Sequence, residues 1–198
     1  MEIKTWPDLP FWEELVEHSP ESTFYHTPLW HNIVADSFKS FSIATLGFIF
    51  EDGTHAVLPL IRTKTGTFLK SKHRLKSSVC GGYGGIISDK KLSTDRQDSI
   101  YQYAASSKAS ISIDCNPFSD YTLPDFFQKK KDFAHVISLD GDEEAIYKAF
   151  SRNAKRGLKQ ASKMDVTVRT ARSESDITAY YTIYRDALRR WGDSAQQV

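Results

Sequence analysis

Ile43-Ala44-Thr45-Leu46-Gly47-Phe48-Ile49-Phe50-Glu51-Asp52-Gly53-Thr54-His55-Ala56-Val57-Leu58-Pro59-Leu60-Ile61-Arg62-Thr63-Lys64-Thr65 sets the frame of the fold. Its first eight residues are apolar and β-prone, Glu51-Asp52-Gly53 is a hairpin turn signal, and Ala56 to Thr65 forms the return strand. Towards the N-terminus, Ile3 opens a short edge strand and Asp8 caps a helix with Pro10 in its first turn. Phe11, Trp12, Leu15 and Val16 give that helix an apolar side until Ser19-Pro20. Thr27-Pro28 begins a second helix carrying Leu29, Trp30, Ile33 and Val34.

Towards the C-terminus, Phe68 and the segment from Val79 to Ile87 read as the next strand region, interrupted by Gly81-Gly82-Tyr83-Gly84-Gly85. Ser93 or Thr94 caps a helix bearing Ile100, Tyr101, Ala104 and Ala105. Ala109, Ile111, Ile113 and Cys115 alternate with polar residues, the period of a half-buried strand that Asn116-Pro117 ends. A short helix over 122–127 and a strand over 135–139 follow. One long helix is expected over 142–164, with Ile146, Phe150, Ala154, Leu158 and Ala161 on one face. Arg152, Arg156, Lys159 and Lys163 fall on another face. Val166 and Val168 make a short strand. Ser173-Glu174-Ser175-Asp176 resembles a capping box and opens a helix with Ile177, Tyr180, Tyr184, Leu188 and Trp191 as its stripe.

The bulk numbers agree with a globular protein. The 198 residues are 40% hydrophobic and 13% aromatic, ample for a continuous core. No apolar run approaches the roughly 18–20 residues that cross a bilayer, and Met1 to Trp6 does not open a signal peptide. Cys80 and Cys115 match no metal or redox spacing and read as buried free thiols, a usage that suits the cytoplasm. The net charge of +1 conceals segregation. From Gly53 to Ser88 there is no acid, while Arg62, Lys64, Lys70, Lys72, Arg74 and Lys76 are basic; Arg152, Lys155, Arg156, Lys159 and Lys163 form a second acid-free cluster.

The order strand, helix, helix, hairpin, glycine-interrupted strand, helix, strand, helix, strand resembles the GNAT acyltransferase fold. Phe24-Tyr25-His26-Thr27-Pro28-Leu29-Trp30, Leu58-Pro59-Leu60 and Gly82-Tyr83-Gly84-Gly85-Ile86 resemble the FemAB-like branch of it. So does Phe150-Ser151-Arg152-Asn153-Ala154-Lys155-Arg156-Gly157-Leu158-Lys159-Gln160-Ala161, and Tyr184 to Gly192 is similar to the first helix of that family's second domain. A proline often found before the glycine-rich strand is replaced by Ser78-Val79-Cys80. The branch includes peptidoglycan-bridge aminoacyltransferases and related exopolysaccharide acyltransferases.

The resemblance implies an α/β (α+β) fold with a mixed, mostly antiparallel sheet and helices on both faces. It implies a GNAT-like domain over 1–141, a connecting helix over 142–164, and the incomplete start of a second GNAT-like domain over 165–198. The activity implied is amide formation on a cell-envelope or polysaccharide precursor, by direct attack of an amine on an activated acyl group. The donor would be acyl-CoA or aminoacyl-tRNA, with no tightly bound cofactor, and the acceptor a phosphate-bearing or nucleotide-linked sugar. Such chemistry needs alignment and donors aimed at the developing oxyanion. The permissive backbone of Gly82 and Gly84 fits that need, with Tyr83 as a candidate proton donor; Trp30 is a further candidate substrate contact. Arg152, Arg156, Lys159 and Lys163, then Lys72 and Arg74, with Lys70 and Lys76 in the same run, are the candidates for substrate phosphates.

Blander readings stand beside these: a strand bulge for the glycines and solvated faces for the charges. The pair His26 and His31 lacks helical chelating spacing, so no metal site is expected, and no Gly-x-Ser-x-Gly or His-Glu-x-x-His occurs. The competing function is a non-catalytic GNAT-like module that holds an acceptor, or docks a partner or a second copy through its last helix. A third is direct RNA binding through the basic clusters.

Overall fold

The computed structural model describes residues 1–6, 10–65, 72–107 and 109–192. Among these residues the protein is mixed α+β, with six α-helices and two mostly antiparallel four-stranded sheets. The chain divides into two compact units, Met1–Asp132 and Phe133–Val198. The expected cap at Asp8, the apolar Phe68 and the basic Lys70 lie outside the described residues.

The first unit runs β1 (Glu2–Thr5), α1 (Trp12–His18), a 3-10 turn (Phe24–His26), α2 (Pro28–Ser37), β2 (Phe41–Ile43), β3 (Leu46–Ile49), β4 (His55–Leu58), β5 (Ile61–Thr65), β6 (Lys72–Lys76), β7 (Ile87–Ser88), α3 (Thr94–Ala105) and β8 (Ser110–Ser112). One sheet has the order β1-β3-β4-β7 and is antiparallel throughout. The other has the order β2-β5-β6-β8, in which β6 and β8 are parallel. The hairpin is therefore shared: each of its two arms passes from one sheet into the other. The crossing has a local cause. Pro59 has no N–H to continue a ladder, and the Leu60 N–H donates to the Thr45 Oγ1 (3.2 Å) in place of a backbone carbonyl. The Ala44 N–H donates to the Leu60 carbonyl (2.8 Å), which holds the two arms together across the bend.

Strand alternation sends neighbouring residues to opposite faces. Ala56 and Leu58 join Phe48, Ile86 and the Ile100, Tyr101 and Ala104 of α3, whereas Val57 joins Ile87 and the Trp12 and Leu15 of α1. Helices thus cover both faces of the antiparallel sheet. A third cluster packs Val34 of α2 on Ile61 and Val79. The Thr27 Oγ1 caps α2 by accepting the Trp30 N–H (3.0 Å), with Pro28 at its first turn.

In the second unit the helix expected over 142–164 is two helices, α4 (Glu143–Ala149) and α5 (Arg152–Lys163). Phe150 and Ser151 are extended, and the Ser151 Oγ accepts the Ala154 N–H (3.2 Å). A serine that caps a new helix ends the old one, and the periodic apolar spacing does not reveal this. α6 (Glu174–Trp191) opens with the expected box: the Asp176 carboxylate accepts the Ser173 N–H (3.1 Å) and the Arg172 N–H (3.0 Å). None of the three helices buries a residue.

Other expectations differ from the structure. Residues 135–139 and 166–168 form no strand, and 122–127 form no helix. Strand propensity is realised only against a neighbour, and Pro124 interrupts the last of these segments. Cys80 and Cys115 are exposed rather than buried.

Candidate functional site: a glycine excursion beside an aromatic cluster

Ile61 pairs with Lys76, and Val57 pairs with Ile87. Between these pairs three residues of one strand (58–60) therefore face ten of the other, and residues 77–86 leave the sheet as an excursion. The expected continuous strand from Val79 to Ile87 is this excursion followed by β7. Its base is where the parallel neighbour β8 diverges from β6. The Ser77 N–H donates to the Ser112 carbonyl (3.0 Å), and the Asp114 N–H donates to the Ser77 Oγ (2.9 Å). Pairing resumes with the Gly84 N–H donating to the Asp114 carbonyl (2.8 Å) and the Asn116 N–H donating to the Gly84 carbonyl (3.0 Å). The tip is a tight turn in which Cys80 (φ 57°) and Gly81 (φ 78°) are both left-handed and the Gly82 N–H returns to the Val79 carbonyl (3.3 Å).

Two glycines are required by close approach. A Cβ on Gly84 would fall against the Ser77 backbone, inside any real contact, and one on Gly82 would lie 2.6 Å from the Tyr25 ring. That ring belongs to an edge-to-face cluster. Tyr25 meets Tyr83 (5.9 Å) and Trp30 (5.5 Å), and Phe24 meets Trp30 (5.6 Å) and Tyr25 (6.1 Å). Phe24 remains 52% exposed and Tyr83 is half-buried. Among the described residues the Tyr83 hydroxyl and the N–H groups of Tyr83 and Gly85 have no protein partner.

Beneath the cluster lie His26 and His31, 1% and 2% exposed. The His26 Nδ1 accepts the Thr23 N–H (3.1 Å), which leaves the ring proton on Nε2. The Trp12 Nε1–H donates to the His26 carbonyl (2.8 Å), and the Trp12 ring meets His31 edge-on (5.3 Å). Burial pulls both imidazoles down to about 4; the backbones of Thr23 and Gly84 oppose the shift at His26, and that of Tyr25 opposes it at His31. Gly84 is near enough to act on His26 yet outside hydrogen-bond geometry, for the His26 Nε2 has no partner among the described residues. The His31 Nδ1 and the Ser78 Oγ are likewise buried and unpartnered. Groups of this kind ordinarily find a partner in water or a ligand.

Asn116 ties the site together. Its backbone holds Gly84, its side-chain N–H donates to the Glu21 carbonyl just before the 3-10 turn, and its Oδ1 accepts the Phe118 N–H (3.1 Å). Cys80 is exposed at the tip, but desolvation raises its thiol and Lys76 only opposes this, so it is not an activated nucleophile.

The structure thus brings Trp30, Gly82, Tyr83 and Gly84 to one place. The sequence reading misses Tyr25 and Asn116 as members of it; the aromatic run Phe24-Tyr25 was the available signal for the first. Lys72 and Arg74 lie exposed on β6, ahead of the excursion.

Arg152, Arg156, Lys159 and Lys163 lie in the second unit, on α5. With Lys155 they fall within an arc of about 100°. Five pairs of like charge stand at i, i+3 or i, i+4, each unfavourable by a few tenths of a kcal/mol, or about 1–2 kcal/mol together. Arg152 also opens the helix, where the macrodipole disfavours a cation. Lys155 is engaged internally: its Nζ donates to the Lys148 carbonyl (2.8 Å) and lies 5.5 Å from the Tyr147 ring centroid. The other four have no carboxylate partner among the described residues.

No helix among the described residues is long and apolar enough to cross a membrane. Comparison of the chain with protein-family models, with curated proteins and with solved structures finds no match.

Proposed function

We propose that the chain is a FemAB-like N-acyl- or aminoacyltransferase of GNAT-like fold, with the excursion over 77–86 as its acyl-binding site. The observation that supports this most is the pair of unpartnered N–H groups, Tyr83 and Gly85, on either side of Gly84, where pairing with the segment after β8 resumes. Backbone donors preorganised at a splayed sheet suit a developing oxyanion. The shared hairpin and the helices on both faces of the antiparallel sheet support this reading.

In this reading the acceptor amine attacks the acyl carbonyl carbon. A C–N bond forms, the C–S bond of a thioester or the C–O bond of an aminoacyl ester breaks, and the thiol or hydroxyl leaves with a proton. In this reading the Tyr83 hydroxyl gives that proton and regains one from solvent, to which the amine's own proton passes. Trp30, Tyr25 and Phe24 supply an apolar wall for the ring of a sugar acceptor.

A ligand that binds the native state raises its melting temperature. Thermal-shift screening against acyl-CoAs, UDP-linked sugars and uncharged tRNA should find a donor or acceptor whose shift falls in Gly82→Val. The absence of any shift, or a shift indifferent to that change, removes this reading. A second reading, a non-catalytic module that docks a partner through its last helix, is favoured by the exposed Ile177, Tyr180, Tyr181 and Ile183 of α6.

A further inference from the structure

We propose that the crook between α4 and α5 is a binding groove for the sugar-phosphate backbone of a single-stranded nucleic acid. The inference stands on the second unit alone and does not depend on acyl transfer by the first. α4 and α5 are separated by the extended pair Phe150 and Ser151, and the concavity between them is lined by Tyr147, Asn153 and Ser162 together with Arg152, Lys155, Arg156 and Lys159. Lys155 fixes the bend by donating to the last turn of α4 while lying over Tyr147.

What remains is a row. Arg152, Arg156, Lys159 and Lys163 repeat at i, i+4, i+7 and i+11, so they climb the helix in steps of about 4–6 Å and span about 16 Å. A single pyrophosphate fills only part of such a row. A strand whose phosphates recur every few ångströms fills it, from about 3.4 Å apart in a stacked strand upwards. The cations repel one another and have no carboxylate partner among the described residues, and a polyanion removes that repulsion. Tyr147, Asn153 and Ser162 add a ring for stacking and polar groups for phosphate or sugar.

An anionic membrane fits less well. Apart from Leu158, the side of α5 opposite the cations is Ala154, Gly157 and Ala161, which offers little to insert between lipids. A concave row also meets a strand more fully than a plane.

The test is fluorescence anisotropy of a labelled twelve-nucleotide oligouridylate titrated with the full chain at several salt concentrations. Four phosphate contacts predict that log K falls with log salt at a slope of about −2.8, roughly fifty-fold weaker binding at 200 mM than at 50 mM. In the exposed double variant Arg156→Gln/Lys159→Gln the slope should fall to about −1.4, and the loss over the same interval to roughly seven-fold. Lys39→Gln, at an exposed position of the first unit, should leave the slope unchanged. Circular dichroism of each variant separates lost contacts from lost helix. Undetectable binding at low salt overturns the proposal, as does a slope indifferent to the α5 substitutions. Tighter α5-dependent binding to phosphatidylserine vesicles than to the oligonucleotide overturns it in favour of a membrane surface, and full competition by UDP at the same affinity does so in favour of a mononucleotide.

Discussion

Trp12 and Tyr180 are both large aromatic residues on helices, yet one is 0% exposed and the other 65%. The contrast extends to their units. Met1–Asp132 contains three apolar clusters, and its helices bury Trp12, Leu15, Val34, Ile100 and Tyr101. The helices of Phe133–Val198 bury nothing. They are held by local devices instead: side-chain caps from Asp142, Ser151 and Ser173, and i, i+4 pairs such as Glu144–Lys148 and Asp186–Arg190. The same apolar and aromatic vocabulary therefore does tertiary work in one unit and none in the other. Stability in the first should be sensitive to packing, and in the second to caps and charge.

The largest expected effect follows from that difference. Trp12→Ala removes a filled core position and the donor to the His26 carbonyl, and should destabilise the first unit by about 3–5 kcal/mol. Tyr180→Ala should change stability by no more than about 0.5 kcal/mol. Chemical denaturation of both variants measures the ratio, and comparable losses would show that α6 is packed.

Acid tests the buried imidazoles. Because burial lowers both from 6.5 to about 4, they are neutral when folded and protonate more readily when unfolded. Their stabilising contribution is thus complete above about pH 6.5 and is lost as the pH falls towards 4. Together they give a slope of up to about 2.7 kcal/mol per pH unit within that window. Melting temperature measured from pH 7 to 4 should fall, and His31→Leu should flatten the decline.

Gly84→Ala places a methyl group against the Ser77 backbone and should cost about 2–3 kcal/mol, opening the excursion while the β3–β4 and β5–β6 pairs remain. Amide exchange across 77–86 reports this directly. A smaller loss is expected for Ser151→Ala, about 1 kcal/mol of helix stability, read as lost helicity with the core transition unmoved.

Local signals in the sequence transferred well. The Gly53 turn, the Thr27-Pro28 start, the Ser93 boundary and the Ser173/Asp176 box are all present, because each depends on residues within a few positions. What depended on a distant neighbour did not transfer. The apolar spacing of Ile146, Phe150 and Ala154 runs straight through the Ser151 cap, and residues 135–139 have strand composition without a strand beside them. The excursion is a relation between two strands: nothing within Val79 to Ile87 says that the opposite arm needs only Leu58, Pro59 and Leu60 to span the same gap. The glycines and Trp30 were legible as a run of unusual residues. Asn116 was legible only as a strand end, because its ties to Gly84 and Glu21 are long-range.

The measurement closest to the central claim is hydrogen exchange at the Tyr83 and Gly85 amides, with and without an acyl-CoA or another ligand found by thermal shift. A ligand seated in the excursion accepts hydrogen bonds from these two groups, so their exchange should slow while that of the exposed Gly81 at the tip stays fast. Binding that leaves both amides exchanging at the free rate would contradict the account and place the ligand elsewhere on the chain.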